Sequence, residues 1–298
     1  MNLFLKKILY FISALAILIV LIGLLTEKFM SKLNVNYLAS FEDKISLLQK
    51  TEGTPRVIFI GGSNLTFGLN SEVLKDSLHA NVANLSLHGG IGLNNEVDLY
   101  LNYLNKEKDI IIISAEFETL SSFQRDYESD ESLYCKSLFP SRYKSVKTYL
   151  YWFQRNNPVK YFWDIKNDPT KKIGHRKNLN SFGDVSNLPP LNMKFKFKRK
   201  NIKFNDQFTN QAIQFIKERM DGFTYYVASP VINSCWDTKD LIAFDDLMKM
   251  EFGEKYIITT REMHFNDEEF YDTHYHLNEL GRSRRTQIFI PKVKRVLE

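Results

Sequence analysis

The stretch Gly61-Gly62-Ser63-Asn64 stands directly behind the apolar run Val57-Ile58-Phe59-Ile60. A serine hydroxyl is a weak nucleophile until a histidine takes its proton, and the histidine needs a carboxylate to fix its tautomer and balance its charged form. Both partners occur together far downstream, in Phe270-Tyr271-Asp272-Thr273-His274-Tyr275-His276-Leu277-Asn278. In an extended segment Asp272, His274 and His276 share one face; at a helix start Asp272 and His276 become neighbours, so spacing alone leaves both histidines as candidate bases. Such a set performs acyl transfer through a serine. The plainer readings are a turn residue at Asp272 that bonds its own backbone and a surface or capping histidine at His276. His264, His274 and His276 also invite a zinc reading, because a His-x-His pair can ligate that metal. No cysteine or second signature accompanies them, and no metal or other cofactor is expected.

Positioning these groups falls to an alternation of strand and helix patterns. Arg56 to Ile60 is an apolar run suited to a parallel strand buried on both faces. Asn70-Ser71, ahead of Glu72, Val73, Leu74 and Leu78, reads as a capped helix start. Asn81 to Leu87 reads as a second strand, Gly92 to Leu104 as a helix, and Asp109 to Ser114 as a third strand. Gln211 to Met220, Phe223 to Ala228 and Asp237 to Met250 continue as helix, strand and helix, and a last helix follows Gly281. The rhythm predicts an α/β fold with an open parallel sheet, whose ligands bind beyond the carboxyl ends of the strands.

From about 123 to 203 the rhythm lapses into a stretch rich in Tyr, Phe, Trp, Lys and Asn, read as an insertion beside the site. Within it, Lys194-Phe195-Lys196-Phe197-Lys198-Arg199-Lys200 suits a half-buried edge strand or a basic groove for an anionic glycan or membrane surface.

The N-terminal region adds a location. Ile8 to Thr26 lacks charged residues, follows Lys6 and Lys7, and runs into Glu27-Lys28-Phe29-Met30 without a small-x-small cleavage pattern. This predicts an uncleaved signal anchor at 8–26, with 1–7 cytoplasmic and the remainder exported. Residues 27–54 read as a linker carrying an amphipathic helix over 33–50, and 55–298 as the body. Cys135 and Cys235 are then either one disulfide or two separate thiols. At 298 residues, 44% apolar and 25% charged, the chain has the makings of a sizeable core. Its net charge of +5 is spread along it, which argues against nucleic acid as a partner.

Taken together, Gly61-Gly62-Ser63-Asn64, Asn84-Leu85-Ser86-Leu87-His88-Gly89-Gly90, and Asp272 with His276-Leu277-Asn278 resemble the three end blocks of the SGNH (GDSL-like) hydrolase superfamily, over roughly 55–298. The resemblance implies a flavodoxin-like three-layer αβα sandwich with a parallel sheet. It implies Ser63 as nucleophile, His276 as base, Asp272 as its orienting acid, and the backbone N–H groups of Ser63 and Gly89 as an oxyanion hole. Asn64, Asn84, His88, Glu116, Glu118 and His274 would line the site. Two departures accompany it. The family's third-block asparagine is replaced by Ser114-Ala115-Glu116-Phe117-Glu118, and the Asp-to-His spacing is one residue longer. Membrane-anchored relatives attached to envelope polysaccharide systems have a similar Tyr-His-Leu-Asn ending. The implied activity is that of a serine esterase or acyltransferase on O-acyl, chiefly O-acetyl, groups of an envelope or exported polysaccharide. The alternative is a non-catalytic assembly factor that binds glycan or a membrane-protein partner.

Overall fold

The computed structural model describes residues 3–30, 37–51, 53, 55–123, 129–139, 142–143, 145–155, 176–188, 197 and 206–298. Its first element is helix α1 (Leu3–Met30), followed by α2 (Ser40–Lys50), β1 (Arg56–Gly61), α3 (Ser63–Gly68), α4 (Ser71–Leu78) and β2 (Asn81–Asn84). Next come α5 (Leu93–Tyr100), β3 (Asp109–Ser114), α6 (Phe117–Ser121), α7 (Asp130–Ser137) and α8 (Val146–Arg155). The chain closes with α9 (Asp206–Arg219), β4 (Thr224–Ala228), α10 (Thr238–Phe252), β5 (Tyr256–Ile258) and α11 (Glu279–Leu297).

The strands form one sheet in the order β2-β1-β3-β4-β5, every pair parallel. Successive side chains of a strand point to opposite faces, yet every residue of β1 is buried, so both faces of the sheet are covered. The expected α/β fold with a parallel sheet is therefore present. Arg56 pairs in register with Asp109 at one end of the β1–β3 ladder, and Gly61 with Ser114 at the other. At the first end the Arg56 guanidinium donates to both Asp109 carboxylate oxygens, at 2.5 and 2.7 Å, and also to the carbonyls of Leu48 and Thr51. The second end carries Ser63.

Several elements differ from the sequence reading, each for a local reason. β2 stops at Asn84 instead of reaching Leu87, because the Asn84 side chain accepts from the Ser86 N–H and hydroxyl and turns the chain out of the ladder. The helix expected over 92–104 is α5 followed by a 3-10 turn, Leu101–Tyr103. Directly behind β1 there is a short helix, α3, ahead of the expected one; the latter, α4, starts at the foreseen cap, where the Asn70 side chain accepts from Val73 N–H.

Of the segment read as a linker, residues 37–51 pack onto the body, with Ala39, Phe41, Ile45 and Leu48 in the main core. Phe41 of α2 stacks on Tyr100 at 4.4 Å, and the buried Lys44 ammonium donates to the carbonyls of Asn84 (2.9 Å) and Gly183 (2.7 Å). Burial pushes Lys44 down to about 8, opposed first by the charge of Asp184. Of the expected insertion, α7 contributes Tyr134 and Cys135 to the main core. Residues 156–175, 189–196 and 198–205 lie outside the described residues, as does the basic-aromatic run 194–200 apart from Phe197, which packs edge-on against Phe270. Cys135 and Cys235 are separate buried thiols, with no disulfide between them. α1 carries a stretch, Leu3–Ile22, long and apolar enough to cross a membrane and wholly outside the packed body; it starts earlier than the expected 8–26 and includes Lys6 and Lys7.

One buried acid gives a stability test. Glu96 on α5 accepts from the Leu87 N–H, and burial pushes its carboxyl well above the usual range, with Lys44 acting the other way. The fold keeps this proton after the unfolded chain has released it near 4.5. Stability should therefore fall as pH rises above that point, by up to about 1.4 kcal/mol per unit. Glu96→Gln fixes the neutral form and should flatten that slope, which urea unfolding of both proteins at a series of pH values would show.

Candidate functional site

Ser63 opens α3 at the carboxyl end of β1, behind Gly62, and the residue is 7% exposed. α3 is fastened to the second loop by the Thr66 hydroxyl, which donates to the Ser86 carbonyl at 2.6 Å, and by the Asn84 amide, which donates to the Leu65 carbonyl at 3.0 Å. Beneath α3 lies a wholly buried cation. Arg285 of α11 donates to the carbonyl of Asn64, to the Asn64 side-chain oxygen at 2.8 Å and to the Ser114 hydroxyl at 3.2 Å. It locks the turn behind β1 to the end of β3. Burial pushes the guanidinium down to about 9, and the charge of Glu116 works against that, so Arg285 remains positive at neutral pH.

The His–Asp pair sits in a tight loop. Phe270 and Leu277 form an antiparallel bridge, and Tyr271 N–H donates to the His276 carbonyl at 2.8 Å. Within the loop the Thr273 hydroxyl accepts from the N–H groups of Tyr275 and His276. This is neither of the two backbone shapes expected from spacing, but it achieves the pairing: His276 Nδ1 lies 2.7 Å from Asp272 Oδ1. A carboxylate can only accept, so Nδ1 carries the proton and Nε2 is left as a base. The His276 ring stacks on Phe67 at 3.9 Å, nearly parallel. Phe67 is four residues beyond Ser63 on α3, one turn along the same face, so the imidazole lies on the helix that bears the serine.

The serine itself is engaged elsewhere. Its hydroxyl donates to Glu116 Oε1 at 3.0 Å, and the Asn64 N–H donates to the same oxygen at 3.1 Å. Among the described residues no hydrogen bond joins Ser63 to His276. The Glu116 carboxylate fits tightly between two glycines: a Cβ on Gly62 would stand 2.4 Å from Oε1, and one on Gly89 2.1 Å from Oε2. A Cβ at either position would push this carboxylate aside.

The remaining candidates separate. His274 turns to Glu118, its Nε2 3.1 Å from Oε1, with its ring edge-on to Trp236. Tyr275 joins them: its hydroxyl donates to Glu118 and accepts from the Phe117 N–H at 2.9 Å, and burial followed by the charges of Glu118 and Glu116 pushes its phenol well above the usual range. His276 is thus the histidine paired with Asp272. Asn84 is buried, its amide donating to Asp184 at 2.8 Å and to the Leu65 carbonyl of α3, and His88 holds its own turn by accepting from Gly90 N–H. His264 contributes its carbonyl to Arg284. Among the described residues no group of three or more His, Cys, Asp or Glu side chains is arranged to hold a metal ion.

Arg285, Phe67 and the hydrogen bond from Ser63 to Glu116 escaped the sequence reading. Arg285 left one trace, a charged residue on the stripe Gly281, Arg285, Phe289, Val293 that otherwise reads as the buried face of α11. No protein family, curated protein or solved structure matches this chain.

Proposed function

We propose that the chain is a membrane-anchored serine esterase or acyltransferase of SGNH-like type, acting on O-acyl groups, chiefly O-acetyl, of an exported or envelope polysaccharide. The observation that carries the reading is the His276–Asp272 pair laid over Phe67, one helical turn from Ser63 at the carboxyl end of a central strand. The strand order 2-1-3-4-5 is the flavodoxin-like one and supports the same family reading. The apolar stretch of α1 supports a membrane location, and the Lys6-Lys7 pair ahead of its apolar centre supports export of the body. The polysaccharide substrate rests on the resemblance and on that location.

In the proposed reaction the Ser63 hydroxyl turns from Glu116 to His276 Nε2 and gives up its proton there as Oγ bonds to the ester carbonyl carbon. The carbonyl oxygen becomes an oxyanion held by the backbone N–H groups of Ser63 and Gly89. Collapse of the intermediate breaks the bond to the sugar oxygen, which takes the proton from His276. Water or a second sugar hydroxyl then attacks the acyl-serine by the same steps in reverse order.

A second reading, a non-catalytic glycan- or partner-binding protein on the same fold, draws on one observation, the engagement of Ser63 with Glu116 instead of His276. Labelling of the full chain in detergent with a fluorophosphonate separates the two. Labelling of wild type that is lost in Ser63→Ala supports the enzyme. Folded protein in which neither wild type nor any Glu116 variant is labelled supports the binder.

A further inference from the structure

Glu116 belongs to none of the roles in the reaction above, yet it is the group that the Ser63 hydroxyl bonds. One of its oxygens takes the Ser63 hydroxyl and the Asn64 N–H, while the other lies against Gly89, where a Cβ would stand 2.1 Å from it. A carboxylate has the planar, two-oxygen shape of an ester's acyl group and of the acid released from it. The donors it uses here are those of the serine turn itself, and the Gly89 backbone walls the opposite side. It also lies where a negative charge is wanted: Arg285 is buried under Asn64, and Glu116 is the group whose charge offsets the cost of that burial. Such a carboxylate repels a developing oxyanion and points the serine hydroxyl away from its base.

From this we infer that the Glu116 side chain is an internal ligand occupying the acyl slot between Ser63 and Gly89, and that the slot, once vacated, binds a small free carboxylate such as acetate. Identification of the slot with the substrate's acyl group rests on the esterase reading; its affinity for carboxylates does not. In the resting protein Ser63 is held off, and a substrate's acyl group enters only as Glu116 withdraws.

The test is acetate binding by the full chain in detergent, read as a rise in Tm with acetate against a chloride control at equal ionic strength. Glu116→Ala should gain a saturable dependence on millimolar acetate, which wild type lacks because its slot is filled. Glu116→Gln removes the charge but keeps the side chain in place, and should show at least about tenfold weaker dependence than the alanine variant. Should Glu116→Ala not fold, Glu116→Asn, one methylene short of the slot, is held to the same outcome. A folded Glu116→Ala or Glu116→Asn without acetate dependence overturns the inference. So does equal dependence in Glu116→Gln, since acetate would then be replacing a lost countercharge and not filling a slot.

Fluorophosphonate labelling of the same variants keeps the two ideas apart. Acetate binding without Ser63 labelling in any variant leaves the slot standing and removes the esterase. Labelling of wild type with no acetate dependence in a folded Glu116→Ala does the reverse. With both ideas intact, Glu116→Ala should label at least about tenfold faster than wild type, and acetate should slow it.

Discussion

Exchanging His276 for alanine should lower kcat for hydrolysis of a small activated ester by about 10,000-fold, with little change in KM. The reasoning starts from Ser63, whose hydroxyl does not ionise at neutral pH without a base. His276 offers a free Nε2 because Asp272 holds the proton on Nδ1, and Phe67 fixes the plane of the ring. Asp272→Asn should produce a comparable fall in kcat while leaving the loop intact, since an amide can donate to Nδ1 and so strand the proton on Nε2. Steady-state kinetics on p-nitrophenyl acetate would measure all three proteins. Activity within threefold of wild type in a folded His276→Ala protein would dismiss the histidine as base and leave Glu116, already the acceptor of the Ser63 hydroxyl, as the carboxylate to test next.

The largest stability loss should come from the other end of the sheet. Asp109 is completely shielded and receives two bonds from Arg56, plus one from the Asn105 N–H at 2.7 Å. Asp109→Ala leaves the guanidinium buried without its countercharge, a change expected to cost about 3–5 kcal/mol. It also loosens the start of both central strands and the end of α2, because the same guanidinium holds the Leu48 and Thr51 carbonyls. The double variant Arg56→Met with Asp109→Leu should be much nearer to wild type, since an apolar pair of similar volume bears no desolvation cost. Urea unfolding of the single and double variants decides it; a single variant within about 1 kcal/mol of wild type would mean that water or another acid compensates Arg56.

The sheet was legible because its strands are written as unbroken apolar runs. Val57 to Ile60 and Ile110 to Ile113 admit few other placements, and the pairing of Arg56 with Asp109 follows once those runs lie side by side. The Asp272–His276 pair was legible as a spacing, although the loop that joins them depends on a bridge between Phe270 and Leu277 that no local pattern announces. What stayed hidden was set by contacts distant in sequence. Ser63 meets Glu116 across 53 positions and Asn64 meets Arg285 across 221, so neither can be seen in any window of residues. Helix α2 misled for a related reason: its amphipathic stripe was read correctly, but a stripe does not say what it is buried against, and the buried Lys44 looks like any surface lysine until Asn84 and Gly183 are brought to it.

That packing of α2 has a geometric consequence. With the Leu3–Ile22 stretch of α1 seated in a bilayer, the packed body starts fifteen residues later at Tyr37, which donates its hydroxyl to the Leu87 carbonyl at 2.8 Å just ahead of the core-packed α2. Fifteen residues, however they are arranged, reach at most about 55 Å. On the proposed membrane-anchored reading, the first packed residue of the body therefore stays within about 55 Å of the bilayer, and a polymer substrate would have to be presented within that reach.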